Sequence, residues 1–195
     1  HVDNEDAFSK QALFGIIQGG RHEDLRKESA KFISELQYKG IEFDGFGIGG
    51  SFAKEDMITA VHWVNSILPE NKPRHLLGIG EPSDVIKGVM EGCDTFDCVM
   101  PTRNARTGTV FMNDSESGVF EYVNLNLKNA KYKDDMGPID NGCACYTCQH
   151  YTRSYMNHLY KAGEMLAGTL ATIHNLHFMA TFMERVREEI SKGNL

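Results

Sequence analysis

Long apolar runs are absent from this sequence, and their absence excludes a membrane-spanning helix. No part of its 195 residues forms an apolar run of about 18 residues, the length that a helix needs to cross a bilayer. The first ten residues are polar and acidic, without the basic start and apolar stretch of a secretory signal peptide. We therefore expect a cytoplasmic protein without a membrane partner, built as one compact unit or a large piece of one.

Net positive charge is also lacking. The formal net charge is −7 at pH 7, which argues mildly against a protein that coats nucleic acid by bulk electrostatics. Phosphate contacts act over roughly 10 Å at ordinary salt, so a local basic patch is compatible with this charge. Any nucleic-acid partner would have to be bound by such a patch.

The five cysteines are few and unevenly placed. A secreted disulfide framework would spread them along the chain, whereas Cys143, Cys145 and Cys148 lie within six positions. This spacing indicates metal chemistry in a reducing compartment. Cys93 and Cys98 lie elsewhere, and we expect them to be small core residues.

The clustered thiolates predict a structural zinc site. Zn²⁺ prefers four tetrahedral nitrogen or sulfur ligands, and three cysteines on a tight loop supply most of them. The fourth ligand should be a histidine from a neighbouring helix, and the candidates are His150, His158, His174 and His177. Four protein ligands would make a closed site without an open catalytic position. The alternative is three free thiols in a reduced protein, which the close spacing argues against.

Short apolar runs alternate with amphipathic segments in the first half of the chain. The runs cover residues 13–17, 46–48, 76–79 and 95–100. The helix-like segments lie near residues 22–39, 54–67 and 82–91. This alternation predicts parallel βαβ units, and a spacing of about 30 residues matches the units of a (β/α)8 barrel. An open doubly wound sheet fits the same pattern.

The first half shows only four βα units, whereas a barrel needs eight. Half a barrel would leave two unpaired sheet edges, so the chain is either a fragment or completes its sheet with another chain. After Pro101 we expect a loop, a β-hairpin and two helices. These cover residues 102–108, 109–112 with 119–127, 149–167 and 170–192. We therefore predict an α/β fold with a half (β/α) barrel over residues 1–108, and the hairpin, zinc-binding loop and C-terminal helices over residues 109–195.

The strand ends carry the residues suited to chemistry, because barrel enzymes place their active sites at the C-terminal ends of strands. These ends hold Gln18, Gly49 with Gly50, residues 77–80, and Asp97. A glutamine amide offers both a donor and an acceptor, and glycine lets a ligand approach the main chain. The combination suits recognition of the edge of a planar heterocycle.

Asp97 places a carboxylate in an otherwise apolar strand. Burying a charge is costly, which favours a functional role. A purely structural ion pair with Arg103 or Arg106 explains the residue equally well at this point.

Three sequence strings resemble those of the tRNA-guanine transglycosylases, or queuine tRNA-ribosyltransferases. They are residues 14–20 (FGIIQGG), residues 96–103 (FDCVMPTR) and the Cys-x-Cys-x2-Cys pattern from Cys143 to Cys148. The strings occur in the family's order and spacing, and the likeness runs from residue 12 to residue 192. It implies the C-terminal half of a TIM barrel with an inserted β-hairpin and a zinc-binding helical subdomain. It also implies an enzyme that exchanges guanine at the wobble position of the tRNA anticodon for queuine or preQ1.

The resemblance assigns roles to individual residues. Asp97 matches the nucleophile, which would attack C1′ of the target ribose, expel guanine and form a covalent intermediate that the incoming deazaguanine base resolves. Gln18 and Gly50 match base contacts, and Gly49 adjoins them. Leu77 matches an apolar residue that covers the bound base. The target guanosine must leave the anticodon-loop stack to reach this pocket.

Other assignments concern tRNA and the metal. Arg103 and Arg106 match a loop that grips the anticodon stem-loop, although pairing with surface carboxylates is the commoner fate of an arginine. The zinc pattern is complete, and it selects His174 as the fourth ligand. Family members commonly dimerise around the zinc, so we expect a homodimer through the zinc subdomain. An aromatic stripe could form this interface or pack in the core, and it comprises Tyr151, Tyr155 and His158.

The chain departs from the family pattern in three ways. Glu81 stands where many bacterial members have lysine, so one tRNA phosphate contact is expected to be lost or moved. Ala53 replaces a branched residue beside the 7-substituent of the base, which favours acceptance of queuine, alone or alongside preQ1. Two further aspartates that the family uses lie in the first half of the barrel, which this chain lacks. We therefore expect the isolated 195 residues to be inactive.

Two other functions compete with this one. A non-catalytic, zinc-containing tRNA-binding subunit of a transglycosylase would keep the metal but lose the catalytic apparatus. Retention of Gln18, Asp97, Arg103 and Arg106 argues against that role. An unrelated (β/α)-barrel glycosidase would leave the cysteine cluster unexplained.

Overall fold

The computed structural model describes residues 11–50, 54–114, 118 and 120–195, which form two compact units. The first unit contains the described residues up to 79 together with 84–98. The second contains residues 80–83 and the described residues from 99 onward. No helix within these described ranges is long and apolar enough to span a membrane.

The first unit is built on a parallel four-stranded sheet whose strands lie in chain order. The strands are β1 (Phe14–Ile17), β2 (Gly45–Ile48), β3 (Arg74–Leu76) and β4 (Thr95–Phe96). The helices are α1 (Glu23–Glu35), α2 (Met57–Asn65) after a 3₁₀ turn (Lys54–Asp56), and α3 (Pro82–Met90). The prediction of a mixed α/β fold with a parallel sheet is confirmed. Closure of such a sheet into a barrel stays a prediction.

The core of the first unit lies directly beneath the carboxyl ends of its strands. Ile17, Ile48 and Leu76 end β1, β2 and β3, and all three are fully buried against apolar side chains of α1 and α2. Each such burial contributes about 1.5–3 kcal/mol. A Cβ added to Gly88 of α3 would lie 2.8 Å from Cε1 of Phe96, so glycine is what allows this close approach. The residues that follow the strands are therefore anchored to a tightly packed core.

The second unit contains the predicted β-hairpin. Its strands are β5 (Thr109–Asn113) and β6 (Tyr122–Asn126), and they pair antiparallel. Residues 115–117 and 119, which belong to the predicted turn and the start of the second predicted strand, lie outside the described residues. A 3₁₀ turn (Ala130–Tyr132) follows the hairpin.

The predicted loop over residues 102–108 is wrong, because this segment is helical. Helix α4 covers Met100–Thr107, and the fourth predicted run therefore yields only the two-residue strand β4. Pro101 lies in the first turn of α4, where its missing N–H costs no helical hydrogen bond. Gly108 ends the helix in the left-handed conformation, with φ of 95°. The proline and the glycine therefore mark the start and the end of a helix and not of a loop.

The C-terminal region contains three helices, whereas the sequence predicted two. They are α5 (Tyr146–His150), α6 (Arg153–Ala162) and α7 (Met165–Ser191). Thr152 caps the N-terminus of α6, since its hydroxyl accepts a hydrogen bond from the N–H of Tyr155. Gly163 ends α6 in the left-handed conformation, and α7 then starts five residues before the predicted position of 170. Thr152 and Gly163 thus set helix boundaries that the apolar periodicity of the sequence did not show.

Helix α7 organises the second unit through one buried amide. Asn175 accepts a hydrogen bond from the N–H of Phe111 at 3.1 Å, and its Nδ2 donates to the carbonyls of Pro101 at 2.9 Å and Thr109 at 3.1 Å. Asn175 is fully buried, where each unmade hydrogen bond would cost about 1–3 kcal/mol. This side chain therefore fixes α4 and β5 against α7, one residue away from His174.

Candidate active site and metal centre

The ends of β1, β2 and β3 bring the predicted base-binding residues together. A Cβ added to Gly49 would lie 2.9 Å from Nε2 of Gln18 and 3.1 Å from Cδ1 of Leu77. A Cβ on Gly50, whose φ is 94°, would lie 2.9 Å from Oε1 of Gln18. Gln18 and Gly50 are exposed, and 37% of Leu77 is accessible. The absence of side chains at the two glycines thus lets the Gln18 amide pack directly against their main chain, with Leu77 beside Gly49.

Arg26 holds the main chain that follows β1 and β2, and the sequence argument missed this residue. Its guanidinium is fully buried, with Nε donating to the carbonyl of Gly20 at 2.6 Å and Nη1 to that of Gly49 at 3.1 Å. Burial lowers the pKa of this guanidinium. Arg26, Ala30 and Ile33 share the inward stripe of α1. A charge in such a stripe was the signal that could have found it.

Asp97 follows β4 and remains open to solvent. Its Oδ1 accepts hydrogen bonds from the N–H of Gly78 at 3.0 Å and from Nε2 of His75 at 3.1 Å. The Asp97 side chain is 61% exposed. The Gly78 N–H, followed by His75, lowers the pKa of this carboxyl group below its ordinary value. Asp97 is therefore an accessible, ionised carboxylate.

Asp97 lies at the C-terminal ends of the strands, as the predicted base-binding residues do. Gly78, which donates to its carboxylate, directly follows Leu77 in the chain. Leu77 in turn adjoins Gly49. The first unit therefore presents an amide after β1, exposed backbone after β2 and a carboxylate after β4, all at the C-terminal ends of the strands of one sheet, groups suited to holding a planar base and supplying a nucleophile.

The predicted tRNA-binding arginines both lie on α4 in the second unit. Arg103 and Arg106 are exposed. Arg106 also borders a cleft of about 820 Å³. The cleft is further lined by Lys128, Tyr160, Thr169 and Thr172, among others. Two cations beside hydroxyl groups make this cleft compatible with phosphate contacts.

The second unit brings three cysteines and one histidine into a single cluster. Nδ1 of His174 lies 3.6, 3.5 and 3.3 Å from the Sγ atoms of Cys143, Cys145 and Cys148. Tetrahedral ligands at zinc bond lengths of about 2.3 Å to sulfur and about 2.0 Å to nitrogen lie about 3.5–3.8 Å apart. The four groups can therefore hold one metal ion. Of the four candidate histidines, His174 is the one that the described structure places in this cluster.

The surroundings of His174 select its ligating nitrogen. Nε2 lies 2.6 Å from the carbonyl of Phe111 and donates to it, which leaves Nδ1 facing the thiols. Thr147 donates from Oγ1 to the carbonyl of Leu170 at 2.7 Å, and this bond holds the cysteine loop against α7. The second shell of a metal site is thus present.

The cluster also changes the protonation of its own members. The hydrogen bond with Cys148 lowers the pKa of Cys143 to about 4 and raises that of Cys148. Burial disfavours a charged His174, but hydrogen bonds with Cys143 and Cys145 outweigh it and raise the pKa of His174 to about 9. A thiolate at neutral pH is therefore already favoured at Cys143, as metal ligation requires, whereas His174 must lose its Nδ1 proton when a metal binds.

The predicted aromatic stripe lies beside the cysteine loop. Tyr155 and His158 are exposed, and Tyr151 is half-buried. Tyr151 stacks on Tyr155 at 5.3 Å between ring centroids. Tyr146, 52% exposed, approaches Tyr151 at 5.9 Å and stacks on His150 at 4.5 Å. Ala53, by contrast, lies outside the described residues, as do its neighbours 51 and 52.

Comparison with known proteins shows which family the sequence resembles. The sequence profile of the family described as "Queuine tRNA-ribosyltransferase" matches residues 2–195. Proteins named queuine tRNA-ribosyltransferase are 48% identical in Thermoanaerobacter sp. (strain X514), 46% in Neisseria gonorrhoeae (strain NCCP11945) and 48% in Mannheimia succiniciproducens. The matches cover 95%, 97% and 96% of this chain, and 47%, 48% and 47% of the relatives. The chain thus spans about half the length of the curated relatives that it matches.

Proposed function

Because this chain belongs to the queuine tRNA-ribosyltransferase family, we propose that it carries the nucleophile and part of the base pocket of a tRNA-guanine transglycosylase. The observation that carries the proposal is the open, ionised Asp97 at the C-terminal end of the same sheet whose strands β1 and β2 lead to Gln18 and the paired glycines. A non-catalytic tRNA-binding subunit would have no use for an accessible carboxylate held by two donors. The catalytic role therefore has the stronger support.

The proposed reaction is a double displacement at C1′ of the target ribose. A carboxylate oxygen of Asp97 bonds to C1′ as the C1′–N9 bond breaks, and guanine leaves with that electron pair and a proton from an acid outside this chain. N9 of queuine or preQ1 then attacks C1′, loses its proton, and returns the electron pair of the ester bond to Asp97. Two inversions retain the configuration. No net oxidation occurs.

The base pocket suits a guanine-like heterocycle. In the proposed complex, the Gln18 amide pairs with the edge of the base, and the main chain of Gly49 and Gly50 approaches it closely. Leu77 covers one face of the ring. Acceptance of queuine, alone or alongside preQ1, is proposed from the small residue Ala53.

The tRNA partner follows from charge and family. Arg103 and Arg106 are proposed to hold phosphates or flanking bases of the anticodon stem-loop while the target guanosine is flipped out. Lys128 borders the same cleft as Arg106, so this cleft would add a second cation to that contact. Local basic groups of this kind are what a chain of net charge −7 needs for binding RNA.

The cysteine–histidine cluster is proposed to hold one structural zinc ion. Its donor set and spacing fit zinc, and four protein ligands leave no open position. Bound zinc would supply no chemistry to the exchange, and would fix the cysteine loop to α7. A homodimer through the neighbouring aromatic surface completes the proposal.

A full active site is proposed to need a second half-barrel. Among the described residues, β1 and β4 each pair on one side only, so further strands can complete a barrel around the site. The acid and a second base-recognising carboxylate would come from those strands. The complete transglycosylase that carries this chain is therefore the protein to assay.

Exchange of labelled guanine into a tRNA anticodon stem-loop tests the proposed function. The complete enzyme should incorporate the label, and Asp97→Asn should reduce the rate by about 10⁴-fold or more, since the nucleophile is lost. Denaturing electrophoresis should show a protein–RNA adduct for the wild type and none for the variant. An Asp97→Asn enzyme that retains its melting temperature and exchanges guanine normally would refute the role of Asp97.

A further inference from the structure

The two oxygens of the Asp97 carboxylate have different surroundings. The N–H of Gly78 and Nε2 of His75 both reach Oδ1, at 3.0 and 3.1 Å. Within the part of the chain that the structure describes, no hydrogen bond reaches Oδ2. Because 61% of the side chain is exposed, Oδ2 is the oxygen that a substrate can approach.

His75 is held beside Asp97 by the register of the sheet. His75 on β3 lies opposite Thr95 on β4, and its Nδ1 lies 2.8 Å from Oγ1 of Thr95. Side chains alternate between the faces of a strand, so Asp97, two residues after Thr95, is on the same face. Thr95, His75 and Asp97 therefore form one continuous hydrogen-bonded row.

The Thr95 hydroxyl suits this row in either protonation state of the imidazole. A hydroxyl group both donates and accepts hydrogen bonds. It donates to Nδ1 when His75 is neutral, and accepts from Nδ1 when His75 is charged. In both states Nε2–H donates to Asp97, because an ionised carboxylate can only accept, and the contact of Thr95 with Nδ1 holds the ring so that Nε2 faces the carboxylate.

We propose that His75, oriented by Thr95, is a positioning residue for the exchange reaction, a role that rests on the proposed function of Asp97. His75 and the Gly78 N–H hold Oδ1, so that Oδ2 is the atom that bonds to C1′ as the C1′–N9 bond of guanine breaks. Oδ1 becomes the carbonyl oxygen of the ester and keeps both donors. When the incoming base attacks C1′, the C1′–Oδ2 electron pair returns to the carboxylate.

The two steps depend differently on the His75 donor. In the first step it orients a carboxylate that is already ionised. In the second step negative charge develops on the departing carboxylate, and donors already aimed at Oδ1 stabilise that charge without rearrangement. Removal of the donor therefore slows release from the ester more than its formation. The covalent intermediate should accumulate.

Three variants of the complete enzyme separate positioning from mere structure. His75→Phe keeps a ring but removes the donor, and His75→Gln restores an N–H at the same number of bonds from Cβ as Nε2. Thr95→Val removes the hydroxyl with little change of shape. The measurements are kcat and KM for guanine exchange, the steady-state fraction of protein–RNA adduct, and the melting temperature.

His75→Phe should lower kcat by about 10- to 100-fold, less than the loss of an unshared oxyanion donor because the Gly78 N–H remains. KM for the stem-loop and the base should stay near the wild-type values, and the adduct fraction should rise. His75→Gln should recover most of kcat. Thr95→Val should lower kcat by less than His75→Phe does, again with an unchanged KM and a raised adduct fraction. A His75→Phe enzyme with wild-type kcat and adduct level, or a His75→Gln enzyme as impaired as His75→Phe at equal melting temperature, would overturn the positioning role alone. A wild-type enzyme that neither exchanges guanine nor forms an adduct would overturn the proposed function as well.

Discussion

At the scale of single residues, Gly49 shows how a missing side chain makes room for the two side chains of the proposed base pocket, Gln18 and Leu77. A methyl group there would lie 2.9 Å from Nε2 of Gln18 and 3.1 Å from Cδ1 of Leu77, so that the Gln18 amide would have to shift and Leu77 would have to move slightly. We predict that Gly49→Ala raises KM for the incoming base by about tenfold, equivalent to about 1.4 kcal/mol. Steady-state base exchange by the complete enzyme measures this constant.

Gly20→Ala is the matched control for that substitution. Gly20 has φ of 57°, and a Cβ there would meet nothing within 4 Å. The backbone strain should cost about 1–2 kcal/mol of stability, while KM for the base stays near the wild-type value. Gly49 is not among the positive-φ glycines, so equal effects of both substitutions on KM would show that base binding responds to any disturbance of these strand ends, and would contradict a specific effect of the space beside Gly49.

Sequence reasoning identified the residues at strand ends but not those that support them. Gln18 and Asp97 follow apolar runs, so their position is legible in the order of residues along the chain. His75 faces Asp97 because of the register between β3 and β4, and Arg26 supports Gly49 across a separation of 23 residues. Register and long-range packing depend on the folded sheet, so no local spacing shows them.

At the scale of elements, α7 completes the metal centre by bringing His174 to the cysteine loop. Because His174 is one of the four groups that can hold a metal ion and is fully buried, His174→Ala should abolish the proposed stoichiometric zinc binding. The melting temperature should fall by about 10 °C, which corresponds to a loss of about 2.5–5 kcal/mol of stability at roughly 2–4 °C for each kcal/mol in a chain of this size. Elemental analysis and thermal unfolding of the purified protein measure the two effects.

His177→Ala provides the comparison within the same helix. His177 is half-buried on α7, three residues after His174, and is outside the ligand cluster. This variant should keep its zinc and most of its thermal stability. Equal zinc content in the His174 and His177 variants would contradict the assigned ligand set.

The boundaries of elements depended on residues with two compatible roles. Pro101 can end a strand or begin a helix, and the sequence alone suggested only the first. In the fold its carbonyl accepts a hydrogen bond from Asn175, a contact made 74 residues away that favours the helical course. The alternation of β1 to β4 with helices, in contrast, was predictable because buried parallel strands are continuously apolar.

At the scale of the whole molecule, the open sheet predicts dependence on further strands. The 195 residues carry one candidate nucleophile but no assigned acid for the departing guanine. We predict that they give no measurable guanine exchange on their own, under conditions where the complete enzyme is active. Exchange assays at matched concentrations test this, and turnover by the isolated polypeptide would show that a second half-barrel is not required.

The aromatic surface beside the metal centre predicts how two copies associate. Tyr155 is 39% exposed and stacks on Tyr151, and exposed aromatic groups of this kind are enriched at the centres of interfaces. Tyr155→Ala should raise the dimer dissociation constant of the complete enzyme at least about tenfold, as measured by sedimentation velocity over a range of concentrations. Tyr38→Ala removes an equally large and more exposed ring, 62% accessible in the first unit, and should leave dimerisation unchanged. A monomeric wild type would refute the homodimer, whereas a dimer insensitive to Tyr155→Ala would move its interface to another surface.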